Sequence, residues 1–134
     1  MKNKDTILLL LRVLYKDENV IIRHKINKTA IQKTAPYYAM VIKQGIKEGV
    51  FTLPFPDEAG EMLMEIIINS NEAISRLILQ KSDKTKKLAK IRQRMKMFTH
   101  TIEKTLGVHT GAFHGFDVKQ VNEILSVISG KKEE

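Results

Sequence analysis

Apolar residues recur at helical spacing along nearly the whole chain, and no segment alternates apolar and polar positions as a half-buried strand does. The pattern predicts six helices. In the first, over 5–15, Ile7 to Leu11, Val13 and Leu14 are apolar almost all round, as in a helix at the middle of a bundle. Asp17 offers an acceptor for the start of the second, whose stripe of Ile22, Ile26, Ala30 and Ile31 leads down to Thr34. Pro36 then breaks the chain or takes an early position in a third helix. There Tyr37, Tyr38, Val41, Ile42 and Ile46 recur at helical spacing as far as Gly49, a natural left-handed cap.

The connection over 50–56 carries Phe51, Leu53 and Phe55 as core anchors, while Pro54 and Pro56 forbid helix. Asp57 caps a fourth helix reaching about Lys81, with Glu58 and Glu61 placed favourably for the helix dipole. Its apolar side is interrupted by Asn69, Ser70 and Asn71. A fifth helix starts at Ser82 or Asp83 and ends at Gly107. Along it Leu88, Ile91, Met95, Phe98, Ile102 and Leu106 make a near-heptad seam that predicts lengthwise packing. After the loop GVHTGAFHGF, a last helix over 117–129 turns Val118, Val121, Ile124, Leu125 and Ile128 inward, and 131–134 form a charged tail. The expected fold is all-α: one domain over 1–134, a bundle of about six helices.

Composition narrows the class. A chain of 134 residues that is 43% hydrophobic is long enough for one core and too apolar for disorder. Its longest strictly apolar run, residues 7–11, is far too short to span a bilayer. Lys2 and Lys4 before that run outline a signal peptide, but Arg12 interrupts it and no small-residue cleavage site follows, so a cytoplasmic location is expected. The absence of cysteine excludes disulfides, thiolate metal sites and a Cys nucleophile. The net charge of +8 is uneven: residues 1–56 carry +6, 57–82 carry −3, 83–116 carry +6 and 117–134 carry −1. Two basic blocks of this kind serve either as a nucleic-acid face or as solvated outer faces of helices.

Catalytic signatures are scarce. The sequence contains no GxxxxGK[ST], GxGxxG, HExxH or GxSxG pattern, and a non-catalytic protein without cofactor is expected. His109 and His114 share one loop, but a metal site there needs further ligands such as His100 and has no acidic or Cys neighbour, so none is expected. Tyr37, Tyr38 and Met40, with Met62 and Met64, have the polarizable character of a wall for an apolar small molecule, although Met equally fills ordinary cores. Asn69 to Asn71 add polar groups that need partners, as a wet pocket provides.

The segment YAMVIKQGIKEGVFTLPFPDEAGEMLMEII, residues 38–67, resembles the C-terminal regulatory domain of TetR-family transcriptional repressors. The matching positions are Ile42, Gln44, Gly45, Ile46, Glu48, Gly49, Val50 and Phe51, then Asp57, Glu58 and Ala59. Gly45 permits close contact, and Val50 with Phe51 plug the bundle. The resemblance implies a ligand cavity in each protomer and a homodimer joined through a four-helix bundle, for which 57–80 and 83–107 are the candidate helices. The expected function is effector binding and dimerisation, with an apolar small-molecule effector favouring one helix arrangement and no membrane association. DNA contact is expected only through an N-terminal helix-turn-helix, and nothing before Tyr38 looks like one.

The candidate ligand-binding residues are Leu10, Leu14, Tyr37, Tyr38, Met40, Met62, Ile66 and Asn69. Those for the dimer interface are Leu77, Leu88, Ile91, Met95, Phe98 and Ile102. The alternative is a small basic helical protein that binds nucleic acid through 83–116, using Lys90, Arg92 and Arg94. Within that block 102–113 loosely resembles a helix-turn-helix turn and the start of its recognition helix.

Overall fold

The computed structural model describes residues 2–113, which form four α-helices and, among the described residues, no strand. They are α1 (Lys2–Leu14), α2 (Val20–Lys47), α3 (Pro56–Leu79) and α4 (Lys84–Leu106), with a 3-10 turn at Asp17–Asn19. The all-α expectation holds, but the second and third expected helices are one. The sixth, over 117–129, and the tail at 131–134 lie outside the described residues.

Helices α2, α3 and α4 run antiparallel in succession. Lys43 meets Asp57 at 2.7 Å near one end of the α2–α3 pair, and Arg23 meets Glu72 at 3.8 Å near the other. The α3–α4 pair holds two apolar clusters along its length. One contains Leu8, Ile78, Ile91 and Met95, the other Ile42, Ala59, Leu63 and Leu106.

Pro36 sits inside α2 rather than at an end. A proline there removes one backbone hydrogen bond and crowds the preceding turn, at a cost of about 3 kcal/mol. The packing of α2 on α3 opposes that cost, because Ala35, Ala39 and Ile42 are buried on the side facing α3. The approach is closest at Gly60, where a Cβ would lie 2.7 Å from the Ala35 carbonyl oxygen and 2.8 Å from the Ala39 nitrogen. Only a short side chain on each helix allows that crossing. It also sets the rotation of α2 and leaves Ile22 and Ile26, expected on the buried stripe, exposed.

Helix α1 is not central. It packs where α3 passes into α4, burying Leu8 while Leu9, Leu10 and Val13 face outward. Its final carbonyls are satisfied from the next element: Asn19 Nδ2 donates to the Val13 oxygen at 2.7 Å and Arg23 Nη1 to the Leu14 oxygen at 2.8 Å. The buried Arg23 guanidinium also lies 4.6 Å from the Tyr15 ring centroid, completing its compensation with Glu72.

Helix α2 ends at Gly49 with φ +74°, in the expected left-handed cap. Phe51 folds back onto Gly45, where a methyl group would overlap its ring, and Leu53 joins the same apolar cluster. Val50 and Phe55 are exposed instead of plugging the core. Phe55 takes the N-cap position of α3 with φ 53°, Pro56 follows inside the first turn, and Asp57 pairs with Lys43 rather than capping. Asp83 does cap α4, its Oδ2 accepting from the Lys86 amide at 2.9 Å. No helix among the described residues is long and apolar enough to cross a membrane.

Candidate ligand cleft

The helical periodicity that builds the second apolar cluster also leaves a cleft of about 340 Å³ beside it. Tyr38, Val41 and Ile42 come from one side of α2, Leu63 and Ile67 from successive turns of α3, and Phe98, Thr99, Ile102 and Leu106 from α4. Phe51 enters from the α2–α3 connection and Phe113 from the loop after α4. The wall is apolar and rich in aromatic rings, with the Tyr38 and Thr99 hydroxyls as the side-chain polar groups among the lining residues. No lining residue carries a formal charge. Its size falls at the lower end of the range of small-molecule sites, roughly 300–1,000 Å³, and its chemistry suits an uncharged apolar ligand.

The loop that supplies Phe113 is held by Glu103, which is 2% exposed. Its Oε1 accepts from the Gly111 amide at 2.9 Å and from the Phe113 amide at 3.2 Å, while its backbone carbonyl accepts from the Val108 amide at 3.0 Å. Gly107 closes α4 with φ +69° against the Thr52 carbonyl, and the Thr52 amide donates to the Leu106 oxygen at 2.9 Å. The loop and the α2–α3 connection are thereby tied together at one end of the cleft. Residues 108–113 form turns and no recognition helix, which removes the helix-turn-helix reading of 102–113.

Of the eight residues expected to bind ligand, Tyr38 lines this cleft. Ile66 and Asn69 line a second, outward crevice of about 590 Å³ between α3 and α4, with Ser70, Lys90, Arg94 and Met97. Leu10, Tyr37, Met40 and Met62 are exposed, and Leu14 is half-buried at the end of α1, so these five line neither. Sequence reasoning passed over Val41, Ile42, Leu63 and Ile67 as cleft residues, though Val41 and Ile42 continue the face of Tyr38 on α2 and Leu63 and Ile67 stand one turn apart on α3. It also passed over Phe51, Thr99 and Phe113. The signal for Phe113 is an aromatic side chain in a glycine-rich loop.

Of the residues expected at a dimer interface, four are engaged within the protomer, while Leu77 and Phe98 also reach the outward crevice between α3 and α4. Ile91 and Met95 are buried with Leu8 and Ile78, Leu77 and Leu88 pack against them, and Phe98 and Ile102 line the cleft. His100 and His109 are exposed, His114 lies outside the described residues, and no cluster of three or more metal-ligating groups occurs among the described residues. Lys87 is buried at the α3–α4 junction, its Nζ donating to the Ile78 carbonyl at 3.1 Å, and desolvation by burial lowers its pKa from 10.5.

No curated protein and no solved structure is a significant match to the chain. A family model described as the tetracyclin repressor-like C-terminal domain matches residues 11–94, spanning α2, α3 and the first half of α4. That match covers more than half of the sequence, and the chain belongs to the tetracyclin repressor-like C-terminal domain family.

Proposed function

We propose that this domain is the effector-binding and dimerisation part of a TetR-like transcriptional regulator, without catalytic activity and working in the cytoplasm. The observation that carries the reading is the cleft of about 340 Å³ between α2, α3 and α4, with its continuous aromatic and aliphatic wall. The effector is an uncharged, ring-bearing apolar molecule, oriented by a hydrogen bond to Tyr38 or Thr99. Because the cleft joins three helices, a ligand that fills it favours one spacing of those helices over another, and differential affinity for the two arrangements is all that switching requires.

Dimerisation uses the outward side of α3 and α4. With Ile91 and Met95 turned inward, the surface those helices leave for a second copy is the crevice around Ile66, Asn69 and Met97. Titration with the neutral apolar dye N-phenyl-1-naphthylamine tests the ligand reading. Saturable binding at one site per chain is expected, weakened at least about fivefold by Val41→Glu, which puts a carboxylate at the cleft mouth without disturbing the buried core. Val41 is exposed, so the variant folds. Dye binding that is absent, or indifferent to this change, overturns the reading.

A further inference from the structure

We propose that Glu103 is a positioning residue for the cleft: its buried carboxylate holds the 107–113 loop so that Phe113 forms a movable outer wall over the ligand. The inference rests on the reading of the cleft as a ligand site and adds the device that closes it.

A carboxylate removed from water needs compensation, and among the described residues none of the ion pairs involves Glu103. Its Oε1 takes two backbone N–H groups, those of Gly111 and Phe113. Charge-assisted hydrogen bonds of this kind are roughly twice as strong as neutral ones. Among the described residues the loop's other ties lie at its start, where the Val108 amide donates to the Glu103 carbonyl and Gly107 meets Thr52, and in one turn bond from the Ala112 amide to the His109 carbonyl. Gly111 stands in open space, Phe113 is still 40% exposed, and of the loop's apolar side chains Val108 packs into the second cluster. Among the described residues, the Phe113 backbone is therefore pinned by one carboxylate, and the amide that is pinned belongs to the residue lining the cleft. A wall held by two hydrogen bonds at its own backbone swings away when they break, without unpacking either apolar cluster.

The test is a double-mutant cycle on the full chain, read by equilibrium and stopped-flow binding of N-phenyl-1-naphthylamine. Phe113→Ala is expected to weaken binding about tenfold and to speed dye release, through loss of one aromatic contact. Glu103→Ala is expected to reproduce that effect, and the double variant to be no worse than either single one, because both changes remove the same wall. Glu103→Gln keeps an oxygen that accepts the two amides and is expected to recover most of the affinity. Glu103 acting only on stability predicts the opposite pattern: an equal further loss of dye affinity in the Phe113→Ala background, which overturns the proposal. If Glu103→Ala does not fold, the cycle is run with Glu103→Gln, whose smaller effect must likewise vanish in that background. The Val41→Glu control separates the two readings. Binding indifferent to it removes the cleft and the latch together, whereas binding sensitive to it with additive Glu103 and Phe113 effects removes the latch alone.

Discussion

At the residue scale, buried charge is where this small domain spends interactions rather than gaining them. Arg23, Lys87 and Glu103 are all buried, and each is compensated by backbone groups: the Leu14 carbonyl, the Ile78 carbonyl and the loop amides. Replacing one of these groups by an apolar residue strands its backbone partner, which costs about 1–3 kcal/mol. Lys87 carries a pH signature as well. Its folded pKa lies below 10.5, so the unfolded chain holds that proton more tightly than the folded one. The destabilising effect is complete below the lowered value and fades as pH climbs towards 10.5. The stability of the wild type relative to Lys87→Met is expected to rise as pH is raised towards 10.5 in paired urea denaturation curves. Parallel pH profiles for the two proteins contradict it.

At the element scale, α2 shows how tertiary contact overrides local punctuation. Pro36 reads as a boundary in isolation, yet the small faces of Ala35, Ala39 and Gly60 bring two backbones together across it, and the helix continues. Since Pro36 is itself exposed, Pro36→Ala is expected to restore the missing bond to Gln32 and stabilise the fold by about 1–2 kcal/mol, measured by chemical denaturation. A loss of stability indicates instead that the proline sets a bend on which α2–α3 packing depends. The other element-scale result concerns α4. Its seam was legible as a packing surface from spacing alone, but spacing does not name the surface it meets, and here the seam meets α1, α2 and α3 of its own chain.

For the whole molecule, the consequence is that a second copy must use what the protomer leaves outside. Sedimentation at high micromolar concentration is expected to show a species of about 31 kDa, twice the 15.4 kDa chain. Met97→Glu, at an exposed position in the α3–α4 crevice, is expected to shift it to monomer without changing its helix content. A monomeric wild type rules out dimerisation. A dimer untouched by Met97→Glu moves the interface elsewhere, and the exposed Leu9, Leu10 and Val13 of α1 with Ile21 and Ile22 of α2 are then the next apolar surface to probe.

What the sequence by itself determined is the local grammar: the all-α class, a helix start at Ser82 or Asp83, the left-handed end at Gly49 and the stop at Gly107, and the 38–67 segment that carries the family resemblance. These follow from interactions within a few residues, which periodicity and side-chain type encode directly. Only the tertiary structure decided that Pro36 is interior, that α1 lies at an end, and that Phe51, Phe98 and Phe113 face one cleft. Those outcomes depend on which apolar face meets which. A stripe at helical spacing states that a face will be buried, but the choice of neighbour is made by close approach at Gly60 and by a carboxylate that reaches across a loop.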